Sequence, residues 1–108
     1  MGYIRHNAII VTGHHDSNPL YNTTQKAHDK AVELGLLVTP IVQGKSNGYS
    51  SFLICPDGSK EGWDTSDEFD VKRAEWLKWI KTISIFINYV HISYGGDDAE
   101  TVIVHEHD

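Results

Sequence analysis

The run Ala8-Ile9-Ile10-Val11 constrains this chain most: it is short, β-branched and almost continuously apolar, the signature of a strand covered on both faces. With Asn7 as its polar exception, the run predicts a central strand over Tyr3 to Thr12. The stretch Gly13-His14-His15-Asp16-Ser17-Asn18-Pro19 follows, capping residues leading into a proline suited to a first helical turn. Leu20 or Tyr21, Thr24, Ala27, Ala31 and Leu34 then recur at spacings of three and four. Gly35 is placed to end that helix in a left-handed conformation, so a helix is predicted over Pro19 to Leu34.

Leu36 to Gln43 reads as a second strand, and Pro40 within it implies a sheet edge or a bulge because proline cannot donate a ladder bond. Asn47-Gly48 is a hairpin signal, making Tyr49 to Cys55 a third strand antiparallel to the second. Pro56-Asp57-Gly58-Ser59 forms a turn. From Thr65 the periodicity becomes helical, with Thr65 and Glu68 spaced as a capping box and Asp67, Glu68 and Asp70 at the positive end of the dipole. Phe69, Trp76, Leu77, Ile80 and Ile83 form the apolar face. Ile85 to Tyr94 alternates as a strand, Gly95-Gly96-Asp97-Asp98 is a turn, and Glu100 to His105 returns as a last strand.

The order β-α-β-β-α-β-β begins like a split βαβ arrangement with a hairpin added. It predicts an α+β fold, a two-layer α/β sandwich whose mostly antiparallel sheet carries two helices on one face. A length of 108 residues and 40% hydrophobic content fit one globular domain spanning 1-108, with one core and no linker. A lone cysteine, Cys55, excludes an internal disulfide framework, and the apolar run near the start is too short for a signal sequence or membrane span. A soluble protein of the reducing cytoplasm is expected, with no membrane partner.

A formal charge of -6 with nine Lys and Arg opposes binding to DNA or RNA polymers, whose recognition neutralises many phosphates. Small phosphorylated ligands stay open, since one or two local cations and backbone N–H groups suffice for them. The segment from Asn47 through Tyr49, Ser51 and Phe52 to Asp57, Ser59, Lys60 and Trp63 interleaves glycine, hydroxyl, cation and aromatic groups. Such residues approach phosphate closely and stack on bases, although a polar connection packed over Trp63 would look the same. Arg73 lies one turn beyond Phe69 and Asp70 and suits either an ion pair with Asp70 or an anion. Trp76 reads as core, and Trp79, off the main stripe, as core or subunit contact.

Seven histidines include His14-His15-Asp16 and a terminal His105-Glu106-His107-Asp108, but their spacing matches no recognised metal motif, and no metal or other cofactor is expected. Ser17, Ser51 or Ser59 could be a nucleophile with His14 and Asp16. None has the context of a nucleophile elbow. Cys55 fits a small buried residue better than a nucleophile. No catalytic site is assigned.

Met1-Gly2-Tyr3-Ile4-Arg5-His6-Asn7-Ala8-Ile9-Ile10-Val11-Thr12, the segment Asn47-Gly48-Tyr49 through Trp63, Ser66-Asp67, Arg73 and Tyr94-Gly95-Gly96-Asp97-Asp98 together resemble a widespread family of small tailed-phage proteins. The most specific part is Pro56-Asp57-Gly58-Ser59-Lys60-Glu61-Gly62-Trp63. The family is similar to the anti-CBASS sponge proteins, phage immune-evasion factors that, as oligomers, capture cyclic dinucleotide signals such as 3′3′-cGAMP without cleaving them.

The resemblance implies a non-catalytic homo-oligomer, dimer or tetramer, in the host cytoplasm. Its ligand would lie near Asn47, Tyr49, Ser51, Phe52, Asp57, Ser59, Lys60, Trp63, Arg73 and Tyr94, with Lys60 or Arg73 meeting phosphate and Tyr49, Phe52 or Trp63 stacking on purine. Where the family carries Ser-Trp after Thr12, this chain has Gly13-His14-His15, which puts that loop's role in doubt. Two other functions remain open: a histidine- or metal-dependent phosphodiesterase or hydrolase, and a phage protein that inhibits a host protein by direct contact.

Overall fold

The computed structural model describes residues 6–59, 63–83 and 87–95, and the backbone of 102–107. Five strands and two helices follow one another in the expected order: β1 (His6–His14), a single 3-10 turn (Pro19–Tyr21), α1 (Thr23–Glu33), β2 (Val42–Gln43), β3 (Tyr49–Ile54), α2 (Asp64–Ile83), β4 (Ile87–Tyr94) and β5 (Val102–His107). The strands form one sheet in the order β2-β3-β1-β4-β5, and every pairing is antiparallel. Since β3 runs opposite to both neighbours, β1 and β2 are parallel with β3 inserted between them, the split βαβ arrangement, and β5 extends the sheet beyond β4. The fold is α+β.

β1 is the central strand, and its period of two decides the core. Ile9 and Val11 are fully buried beneath the helices, beside Phe52 and Ile54 of β3 and Ile87 and Tyr89 of β4. From above, α1 contributes Ala27 and Ala31, and α2 contributes Trp76 and Ile80, all with no exposed surface. The small alanines let α1 sit close to the sheet and leave room for Trp76. Its indole Nε1–H donates to the Ala27 carbonyl at 3.0 Å and its ring meets Tyr89 edge-on, which ties both helices to the central strands.

Several boundaries differ from the sequence reading, for local reasons. β1 runs on to His14, and its expected start at Tyr3 to Arg5 lies outside the described residues. The first helix does not begin at Pro19. Asp16 accepts from the Asn18 amide and Asn18 from the Leu20 amide, two successive side-chain turns that hold Pro19–Tyr21 as a separate turn. Asn22 then caps α1 by accepting from the Gln25 amide at 3.0 Å. At the other end Leu34 is the C-cap and Gly35 adopts φ +83°, as expected of it.

The second strand is shorter than Leu36 to Gln43. Pro40 interrupts it, leaving a bridge between Val38 and Ile54 and the two-residue edge strand β2. Asn47 and Gly48 both take positive φ, 61° and 69°, as a tight hairpin turn requires.

α2 starts at Asp64, with the Trp63 carbonyl accepting from the Asp67 amide at 3.1 Å. Thr65 is therefore inside the first turn, and the capping-box reading is corrected. β4 begins at Ile87, with 84–86 outside the described residues, and the last strand is displaced to Val102–His107 from the expected Glu100 to His105. Residues 96–101, which include most of the expected turn, also lie outside the described residues.

Candidate functional site: a cleft where the central strand meets the first helix

The C-terminal end of β1 lies against the first turn of α1. Gly13 permits this contact: a Cβ there would lie 2.7 Å from Thr24 Oγ1 and 2.8 Å from Thr23 Oγ1. The His14 amide donates to Thr23 Oγ1 at 2.9 Å, and buried Thr24 lies over the Ser50 carbonyl. The hairpin tip closes the other side, where the His15 amide donates to the Gly48 carbonyl and Gly48 packs beside the His14 ring.

Beside this junction lies a cleft of about 470 Å³ lined by His14, Asp16, Leu20, Tyr21, Thr23, Lys26 and Ile83. Its volume falls within the range of small-ligand pockets, roughly 300–1,000 Å³. Asp16 is the hub of its polar side. The Asn18 amide holds its carboxyl below the ordinary aspartate range, assisted by His14 and His15 against a smaller opposing effect of desolvation. His14 Nε2 lies 3.4 Å from Asp16 Oδ2, and the Asp16 carbonyl accepts from the Asn22 side chain at 3.1 Å. Lys26 Nζ donates to the Leu20 carbonyl at 3.0 Å, so its ammonium is steered to the cleft wall with further N–H groups to offer.

The cleft is also lined by Leu20 and Tyr21, 69% and 60% exposed. The 3-10 turn lifts them off the α1 stripe into which the sequence periodicity had placed them. A second recess of about 390 Å³ adjoins the first, where Ser17, Gln25 and Asp29 join Asp16, Leu20 and Lys26.

The residues singled out from sequence do not converge on one place. Tyr49 stands directly opposite His14 in register and is 47% exposed, and Asn47 lies in the hairpin turn before it. Ser51 shares a hydrogen bond with Thr12 on the sheet face away from the helices. Phe52 is in the core against His28 and shows no face for a purine to stack on. Ser59 is buried and donates to Asp57 at 2.6 Å. Trp63 is exposed at the start of α2, and Lys60 lies outside the described residues.

Arg73 is buried, only 3% exposed, and pairs with Asp70, the first of the two roles open to it, while its Nη1 has no hydrogen-bond partner. Tyr94 packs against His6 near the far end of β1. Trp79 packs against the core with Lys30 over its ring, and Cys55 is half-buried just past β3.

None of the ligand residues expected from sequence lines this cleft; His14 and Asp16 stood there only as metal or catalytic candidates, and Leu20, Tyr21, Thr23, Lys26 and Ile83 were not singled out as lining residues. The signal that could have found them was the polar turn between a central strand and a capped helix, a place where backbone N–H groups and side chains converge. Among the described residues, no group of three His, Cys, Asp or Glu is arranged to hold a metal ion, and no helix is long and apolar enough to cross a membrane. No family model, curated protein or solved structure matches the chain.

Proposed function

We propose that this protein binds a small anionic nucleotide in the cleft beside His14 and Lys26 and holds it without cleaving it. In its most specific form the ligand is a cyclic dinucleotide such as 3′3′-cGAMP, and the protein is a phage immune-evasion sponge acting in the cytoplasm of a host cell. The observation that carries the reading is that one cleft is lined by Lys26, His14 and the exposed Tyr21 together. A phosphate in the cleft would receive a charge-assisted hydrogen bond from Lys26 near the N-terminal turn of α1, and a base would stack on Tyr21. Asp16 opposes an anion, but it is already engaged by the Asn18 amide and His14.

The binding reading is favoured over catalysis because none of the hydroxyls considered as nucleophiles lines the cleft. Ser51 is bonded to Thr12 on the opposite sheet face, Ser59 to Asp57, and Ser17 lies in the neighbouring recess. The hydrolase reading keeps one specific support, the His14–Asp16 contact at 3.4 Å, which is the arrangement of a base with an orienting carboxylate.

Calorimetric titration with a panel of cyclic dinucleotides, followed by chromatography of nucleotide released on denaturation, tests both. The expected outcome is tight binding, intact release and a weakening of roughly 10-fold or more in Lys26→Ala, the loss of one charge-assisted hydrogen bond. Altered nucleotide would transfer the assignment to a hydrolase using His14. No binding across the panel would overturn the nucleotide reading and leave a host protein as the partner.

A further inference from the structure

We propose that His91, His105 and His107 form a three-histidine site for a zinc ion, built from none of the residues that line the cleft. The register of β4 and β5 brings them together. His91 stands directly opposite Ile9 of β1, a core residue, and so lies on the sheet face that packs against the helices. On the other side of β4, His105 occupies the position directly opposite His91, and His107 the position opposite Tyr89, also a core residue. The three histidines therefore hold neighbouring positions on one face, one on β4 and two on β5. In the sequence His91 is separated from the other two by the connection between these strands, which is why spacing along the chain matches no metal motif.

A β-bulge decides this arrangement. Ser93 pairs with Val102 and Ile92 with Ile103, but past the irregularity His91 pairs with His105, so β5 carries one extra residue, Val104. Had the first register continued, Val104 would stand opposite His91, and His105 and His107 would fall opposite Val90 and Asn88 on the other face. A slip of one residue exchanges the faces of a strand, and the bulge makes that exchange between Ile103 and His105. Bulges occur where a sheet edge must re-aim a position, and β5 is an edge strand.

The spacing suits one ion. Opposite positions in an antiparallel pair have Cβ atoms about 4.5–5.5 Å apart, and diagonal ones about 7–8 Å. Imidazoles rooted on a triangle of that size converge on a metal at Zn–N distances of about 2.0–2.1 Å. Neither ring nitrogen of His91 is exposed to solvent, so this ring lies along the sheet and does not extend into water. Imidazole ligands select zinc, copper or nickel over magnesium and calcium, which take oxygen. Zinc is the metal expected, since three histidines and a water are one of its recurrent sets, with the fourth position open to water or an anion. The described side chains alone hold no such group because two of its members belong to β5, which is described by its backbone. The site does not depend on the nucleotide proposed for the cleft.

The test is calorimetric titration of the metal-stripped full chain with zinc chloride, together with X-ray absorption of the loaded protein to count the imidazoles bound. One equivalent is expected to bind with a dissociation constant below about 1 μM and three imidazoles around the ion. His91→Gln and His105→Ala are each expected to weaken binding at least about 100-fold, more than the loss of a supporting group costs. His6→Gln, at the start of β1, should bind as wild type does. Circular dichroism establishes that each variant is folded, and the imidazole count in wild type decides the outcome if His91→Gln is unfolded. Weaker binding by wild type, fewer than three imidazoles, or a folded His91→Gln or His105→Ala that binds zinc as wild type does would overturn the assignment.

Discussion

Gly13 shows how a single missing Cβ shapes the candidate site. It lies in a strand with no need of glycine's conformational freedom, and its value is proximity: the Thr23 and Thr24 hydroxyls occupy the space a methyl group would fill. Thr24 is fully buried, so it cannot swing away, and the Thr24 amide stands at 3.2 Å behind it. Gly13→Ala is therefore expected to push the start of α1 off the end of β1. Overpacking of this kind costs about 1–3 kcal/mol, which lowers Tm by roughly 5–15 °C in a domain of this size. Urea denaturation should show a lower midpoint with an unchanged slope, and a midpoint equal to wild type would mean that the junction is looser than its distances imply. From the sequence, Gly13 was legible only as part of a capping segment, because the threonines it touches are brought there by the helix.

At the scale of elements, the order of the five strands and two α-helices was legible because the two periods, 3.6 and 2, hold wherever one face is buried. Boundaries were less so where side chains compete with the backbone for hydrogen bonds. Asn18 and Asn22 divide one expected helix into a turn and a helix, and Leu20 and Tyr21 thereby leave the core and enter the cleft. The ligand residues expected along Asn47 to Trp63 were chosen by chemical type, and type does not report direction. In β3, Ser51 faces away from the helices while Phe52 faces the core.

Trp76 is the element-scale counterpart of Gly13, since it joins α2 to both α1 and the sheet. Trp76→Phe should retain much of the packing but lose the bond to the Ala27 carbonyl and open space at a site with no exposure. A loss of about 2–4 kcal/mol in chemical denaturation is expected from the cavity and the lost hydrogen bond together. A change below about 0.5 kcal/mol, the size typical of surface substitutions, would show that this tie between the helices adds little.

For the whole molecule, the decisive property is where the charge lies. A formal charge of -6 sets up a field that repels anions at long range, while Lys26 attracts them within the cleft. Salt acts on the two unequally. With a Debye length near 10 Å at 0.1 M, added salt removes most of the distant repulsion and less of the contact attraction. The two changes oppose each other, and few counterions are displaced when one or two cations meet a small ligand. If the cleft binds a cyclic dinucleotide as proposed, its dissociation constant should vary less than about 3-fold between 50 and 200 mM salt, whereas a protein contacting 6–10 phosphates of duplex DNA loses roughly 10³–10⁵ in affinity over that range. Calorimetric titration at three salt concentrations measures this directly. A steep decline in affinity with salt would mean that several cations outside the cleft share the ligand, and the cleft site would have to be abandoned for a broader basic surface.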